Sequence, residues 1–286
     1  MTVSPPPIDP HALLEWYAES GVTTAEGEVT SNLYDWPDQG FPAKRPISSE
    51  RAAAISSSPA PAPRQPRLDQ QMAPLSPDEA AALATQVAAN VNSIEELDHI
   101  IRDFEGCPLK PGAKNTVIYD GTPGADLLII GEAPGRDEDR IGKPFVGRAG
   151  ILLDKMLNAI HLSRQSTDDL GDVCITNAVY WRPPGNRNPT KAEISICLPF
   201  VKRFIDLSTP KLILTTGNVS TQALYPDAPG ITRARGAWRD WPDGQGGQIP
   251  VLPIFHPAFL LRQPLQKRLA WADLLMVKER LTALSN

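Results

Sequence analysis

Four short apolar runs punctuate the chain: Leu127-Leu128-Ile129-Ile130, Val173-Cys174-Ile175, Leu212-Ile213-Leu214 and Val251-Leu252-Pro253-Ile254-Phe255. None alternates with polar residues, and each is bounded by turn-forming or charged positions. Such runs mark strands covered on both faces, which predicts strands over 126–131, 173–178, 211–216 and 251–255. Between them the apolar period changes to that of a helix. Leu152, Leu153, Met156 and Ile160 share one face over 150–160, as do Trp271, Leu274, Val277 and Leu281 over 267–281. Ser76-Pro77-Asp78-Glu79, Ser93-Ile94-Glu95-Glu96 and Thr190-Lys191-Ala192-Glu193 each place a hydroxyl at an N-cap and a glutamate three residues on. They predict helices from 76 toward 87, from 93 through 104, and from 190 to about 207. Because strand and helix alternate, the expected fold class is α/β: three layers, α/β/α, around a central, mostly parallel four-stranded sheet.

The first quarter of the chain has neither period. Of the 30 prolines, 13 fall before residue 78, with Pro5-Pro6-Pro7 and Ser56-Ser57-Ser58-Pro59-Ala60-Pro61-Ala62-Pro63 among the runs. Such a segment cannot bury enough apolar surface to offset its ordering entropy, so residues 1–75 are expected to be a disordered proline-rich tail and 76–286 one folded domain. Residues 11–19, with Leu13, Leu14, Trp16 and Tyr17, read either as a docking helix or as a transient one.

Net charge is −5, but the sign is local. Residues 1–76 carry five Lys/Arg against nine Asp/Glu, which leaves 23 basic and 24 acidic groups on the rest. Arg182, Arg187, Lys191, Arg233, Arg235, Arg239, Arg262, Lys267 and Arg268 lie in or beside the loops discussed below, a distribution suited to phosphates as well as to an ordinary solvated surface. The start Met1-Thr2-Val3-Ser4 lacks a basic, apolar leader, and no run approaches the ~20 residues of a membrane span. A cytoplasmic, nucleoid-associated protein without membrane contact is expected.

Chemistry concentrates behind the first strand, in Gly131-Glu132-Ala133-Pro134-Gly135 and on to Gly150. Glycines there allow close approach of backbone to a ligand. Glu132, Asn177, Gly217 and His256 each sit at or just past the C-terminal end of a predicted strand, the edge where open parallel sheets bind ligands. Asn177 offers a planar donor and acceptor pair. Pro257 restrains His256, and Phe145 stands among glycines as a stacking surface.

The string GEAPGxxEDxxGxPFVGxAG over 131–150, Ile175-Thr176-Asn177, Arg182-Pro183-Pro184-Gly185-Asn186-Arg187 and His256-Pro257-Ala258 form a colinear series over about three fifths of the chain. The series resembles the uracil-DNA glycosylase superfamily, specifically its iron–sulfur family 4 branch. That resemblance implies a monofunctional enzyme of base excision repair that flips uracil from single- or double-stranded DNA and hydrolyses its N-glycosidic bond, with free uracil and an abasic site as products. It implies a catalytic domain over 76–286, acting as a monomer. Gly131, Ala133, Gly135, Phe145 and Asn177 are then expected to hold the base, and His256 to stabilise the departing anion. Glu132 or Glu138 is expected to position water or support the cationic sugar, since the aspartate of family 1 is replaced by Ala133. Gly135 stands where one branch has a thymine-excluding tyrosine, which leaves that task to another residue, with Glu138 a candidate. Arg182, Asn186, Arg187, Pro257 and Arg262 are expected on DNA, with Leu260 or Leu261 as the wedge.

The same branch holds a cluster on four cysteines. In this chain the corresponding positions are Phe104, Cys107, Trp181 and Cys197, so two thiolates are replaced by rings and no metal or cofactor is expected. Cys174 reads as a small core residue. Alternatives from the sequence are a sibling acting on hypoxanthine or xanthine, a non-catalytic DNA- or uracil-binding module, and a nucleotide-phosphate hydrolase, the last disfavoured because no GK[ST] follows the glycine loop.

Overall fold

The caps begin helices where the pattern places them. Ser76 accepts from the Glu79 N–H while Glu79 reaches back to Ser76, which opens α1 (Pro77–Ala89). Ser93 opens α2 (Ile94–Asp103), though here Glu96 turns to the Asn92 N–H rather than to the cap. The computed structural model describes residues 75–165 and 171–285, all within one of two compact units of the chain. The expectations for residues 1–74, the tail and the 11–19 segment included, lie outside the described residues.

In chain order there follow β1 (Tyr119–Gly121), β2 (Leu127–Gly131), α3 (Arg136–Ile141), α4 (Arg148–Asn158), β3 (Leu162–Ser163) and β4 (Gly171–Asn177). Then come α5 (Lys191–Ser208), β5 (Leu212–Thr216), α6 (Gly217–Leu224), α7 (Ile231–Ala234), β6 (Arg239–Pro242), β7 (Gln248–Ile254), α8 (Pro257–Arg262) and α9 (Lys267–Ser285). The four expected strands form a contiguous parallel block, β4-β2-β5-β7. The sheet is larger than the expected four strands, however, with seven. β1 and β6 add antiparallel edges, and the two-residue β3 joins β4. Edge strands are short and half-covered, so they lack the continuous apolar run that reveals the central four.

Alternate residues of the central strands feed separate cores, which is the physical content of three layers. Leu128, Ile130, Ile213 and Val251 pack with α1, α2 and α5 on one face. Leu127, Ile129, Leu214, Leu252 and Ile254 pack with α4 and α9 on the other. Trp271, Leu274 and Val277 are buried there as their spacing predicts. All four parallel strands therefore end on the same edge, at Gly131, Asn177, Thr216 and Ile254.

Candidate active site at the strand ends

A cavity of about 560 Å³ opens along that edge, lined by Glu132, Asn177, Gly217 and His256 from the four strand ends, together with Phe145 and Glu138. β2 and β4 pair in register to Gly131 and Asn177, and the ladder runs on as Ala178 N–H donates to the Gly131 carbonyl. This brings the Asn177 side chain against Gly131 at a distance only glycine permits. A Cβ at 131 would lie 2.2 Å from Asn177 Oδ1 and 2.5 Å from Phe145 Cε2. Gly131 therefore makes room for the site without lining the cavity. Asn177 is 2% exposed, and its carboxamide has no hydrogen-bond partner among the described residues.

The two candidate carboxylates separate cleanly. Glu138, at N3 of α3, accepts from the Gly135 N–H at 3.1 Å through Oε2 and from the Val146 and Gly147 N–H groups at 3.0 Å through Oε1. Its lone pairs hold the loop, and a Cβ at Gly135 would stand 2.7 Å from Oε2. The Glu132 carboxylate has no such partner among the described residues. Burial raises its pKa above the usual glutamate value.

Phe145 is buried, with a left-handed φ of +52°. Its ring lies on His256, centroids 5.4 Å apart and planes 25° from parallel. His256 is the N-cap of α8, where Nδ1 accepts the Ala258 N–H at 3.1 Å, so the neutral ring carries its proton on Nε2. Burial, and secondarily Arg262, pushes its pKa down to about 4, which keeps it neutral in ordinary buffers.

The expected DNA-contacting residues divide. Arg262 is exposed at the cavity rim, and Arg182 is tied to Asn186 within the 182–188 loop by a 2.7 Å bond from Nε to Oδ1. Arg187 lines the cavity, but both terminal nitrogens clasp the buried Glu193, at 2.8 and 2.6 Å, so it anchors the loop to the start of α5 instead of standing free for phosphate. Two further expectations are corrected. The segment after His256 is a helix whose inner face carries Pro257 and Leu260. Leu260 is 0% exposed in the core, so it is no wedge, and Pro257 is likewise buried. Leu261, half-buried, faces outward of the two leucines. Sequence reasoning missed Asn218, Ile231 and Phe259, all lining the cavity. Asn218 follows the strand-end Gly217 and was reachable by the same rule. It accepts the Ile231 N–H at 2.6 Å, which brings α7 to the rim without any sequence signal.

The four positions that the resemblance matches to cluster ligands all lie in the core on the α5 side, with Phe104, Cys107, Trp181 and Cys197 at 6, 1, 1 and 0% exposed. Phe104 packs edge-on against Phe200, and the Trp181 indole donates to Thr116 Oγ1 at 3.1 Å. Of these four positions only Cys107 and Cys197 carry thiols. A hydrogen bond from Cys197 lowers the Cys107 pKa, whereas burial raises that of Cys197 well above its ordinary value. Two sulfurs with a phenyl and an indole ring do not fit a four-thiolate cluster.

The profile of the Uracil DNA glycosylase superfamily matches residues 118–275, which contain every residue named above at the strand ends. A type-4 uracil-DNA glycosylase of Saccharolobus solfataricus is 39% identical over 188 residues, covering 64% of this chain and 84% of that protein. One from Sulfurisphaera tokodaii is 36% identical over 194 residues, 66% of this chain and 85% of that protein. One from Thermotoga maritima is 35% identical over 171 residues, 59% and 83% respectively.

Proposed function

The chain belongs to the uracil-DNA glycosylase superfamily, and we propose that it excises uracil from DNA by hydrolysing the N-glycosidic bond, leaving an abasic site. The observation that carries the assignment is the convergence of Asn177, Phe145 and a neutral His256 on one cavity at the strand ends. A base edge offering N3–H and O4 matches the acceptor and donor of the Asn177 carboxamide. The flipped base lies on Phe145, and His256 Nε2–H donates to O2 as negative charge develops there. Glu132, not Glu138, takes the water and the cationic sugar, because Glu138 is committed to three backbone N–H groups. The lining residues include no lysine able to form a Schiff base, which favours hydrolysis without strand cleavage.

Arg262 at the rim and Leu261 supply phosphate contact and the wedge in this reading. The enzyme acts as a monomer in this reading, and the packed rings at Phe104 and Trp181 favour one without an iron–sulfur cluster. The decisive experiment presents labelled oligonucleotides carrying uracil, hypoxanthine, xanthine or thymine. Alkali-sensitive breaks at uracil alone are expected. Excision of a purine in preference would redirect the assignment to another deaminated base, and no excision at all would reduce the chain to a binding module.

A further inference from the structure

Arg164 lies just past β3, outside the cavity, yet its side chain, 8% exposed, grips the backbone of Phe145. Nη1 donates to the Pro144 carbonyl at 2.8 Å and Nη2 to the Phe145 carbonyl at 3.0 Å. The same guanidinium donates to Asp154 Oδ1 through Nε at 2.8 Å and to Asp120 Oδ2 through Nη1 at 3.3 Å. The peptide between Phe145 and Val146 is thus held at both ends, its carbonyl by Arg164 and its N–H by Glu138 at 3.0 Å. Two opposite charges, one on each pole of one amide, fix its orientation as neither does alone.

That amide needs fixing. Phe145 has a φ of +52°, a state that an aromatic residue holds only where its surroundings impose it. The first turn of α4 adds to the constraint, since a Cβ at Gly150 would fall 1.7 Å from the Phe145 oxygen. Two consecutive carbonyls pointing the same way require donors spread in one plane, which a guanidinium provides and an ammonium does not.

We propose that Arg164 is a positioning residue for base excision: through the carbonyls of Pro144 and Phe145 it holds the Phe145 ring in the attitude that meets the flipped base and His256. The proposal rests on Phe145 being the stacking platform, and its test separates the two claims. Arg164→Lys keeps a cation beside Asp120 and Asp154 but cannot span both carbonyls. Single-turnover excision from a uracil oligonucleotide should fall by about tenfold or more, toward the roughly 10²-fold that a 1 Å misplacement of a contacting group can cost, with the thermal midpoint near that of the wild type. Lys143→Met removes the other partner of Asp120, 2.8 Å away, and touches neither carbonyl, so its rate should be unchanged. Arg164→Lys introduced into Phe145→Ala should cost less than about twofold, because the group it positions is gone. A wild-type rate in Arg164→Lys, or an equal loss in both backgrounds, would overturn the positioning role. A wild-type rate in Phe145→Ala itself would remove the platform reading and the proposal with it.

Discussion

Phe145 and His256 meet in an offset stack, ring centroids 5.4 Å apart and planes 25° from parallel. A base inserted between two rings needs about 7 Å, twice the contact distance of carbon atoms. The gap between these two rings is therefore too narrow for a base, and in the proposed reading the base does not slot between them. Phe145→Leu should cost more rate than affinity, since it removes about 1–3 kcal/mol of stacking and also the wall that orients His256. His256→Ala should lower the single-turnover rate roughly 10²–10³-fold with little change in DNA affinity. The double variant should lose less than the two costs combined. Additive losses would mean that the stack has no role in catalysis.

The pH dependence follows from burial at the same edge. A histidine with its usual pKa would be half protonated at 6.5, but His256 is pushed down to about 4, so the rate should show no inflection near 6.5. The carboxylate of Glu132 must be ionised to serve water or a cationic sugar, and burial lifts its pKa above 4.5. Activity should therefore fall as pH drops through that raised value, and Glu132→Gln should lose both rate and limb. Stability carries the opposite group's signature. The unfolded chain takes up a proton at His256 before the folded one does, so this group's contribution is complete above 6.5 and is lost as pH falls toward about 4. His256→Gln should flatten the unfolding free energy across that window, and an unaltered slope would contradict the burial of the ring.

The sheet and its ligand edge were legible because Leu127, Ile130, Leu212 and Val251 belong to unbroken apolar runs, and parallel strands covered on both faces leave that trace. Glu132, Asn177 and His256 followed from their positions at strand ends. What the sequence concealed depended on contacts distant along the chain. Nothing in the spacing of Glu138 distinguishes a loop clamp from a water-positioning base, since its partners at Val146 and Gly147 are set by how α3 turns back. Leu260 and Leu261 are neighbours with the same side chain, and only the rotation of α8 sends the first into the core. Arg187 read as a phosphate ligand because loop arginines often are, yet Glu193, also needed as the Thr190 capping partner, claims it.

Salt dependence distinguishes these arginines. Binding should weaken with added salt despite the acidic chain, and Arg262→Ala should reduce the slope of log affinity against log salt by up to about 0.9, the share of one phosphate contact on duplex DNA. Arg187→Ala should instead lower the thermal midpoint, because it strands the Glu193 carboxylate that its hydrogen bonds hold below the usual glutamate pKa. An Arg187→Ala protein of full stability but diminished salt slope would return this residue to the DNA.

Protein prepared without oxygen should be colourless and contain far less than the roughly four irons per chain of a cubane cluster. Cys107→Ala should fold and excise uracil, since its sulfur fills core volume beside Cys197. Stoichiometric iron, or loss of folding in Cys107→Ala alone, would show that the two thiols support a cofactor after all.

The sharpest test of the base pocket is a single methyl group. At Gly131 a Cβ would stand 2.2 Å from Asn177 Oδ1 and 2.5 Å from Phe145 Cε2, and β2 cannot retreat because β4 and β5 pair with it on both sides. Both side chains proposed to contact the base must then move. Gly131→Ala should lower excision about 10²-fold, the scale of a 1 Å misplacement, at an overpacking cost of about 1–3 kcal/mol in stability. At Gly230, where a Cβ meets nothing within 4 Å, the same change should be silent. At Gly135 the methyl meets only the end of the Glu138 side chain, at 2.7 Å, so an intermediate loss is expected as the clamp on Val146 and Gly147 shifts. The expected order of rates is Gly230→Ala, then Gly135→Ala, then Gly131→Ala, measured by single turnover on a uracil oligonucleotide with thermal midpoints taken in parallel. A Gly131→Ala enzyme as fast as Gly230→Ala would place the base away from Asn177 and Phe145.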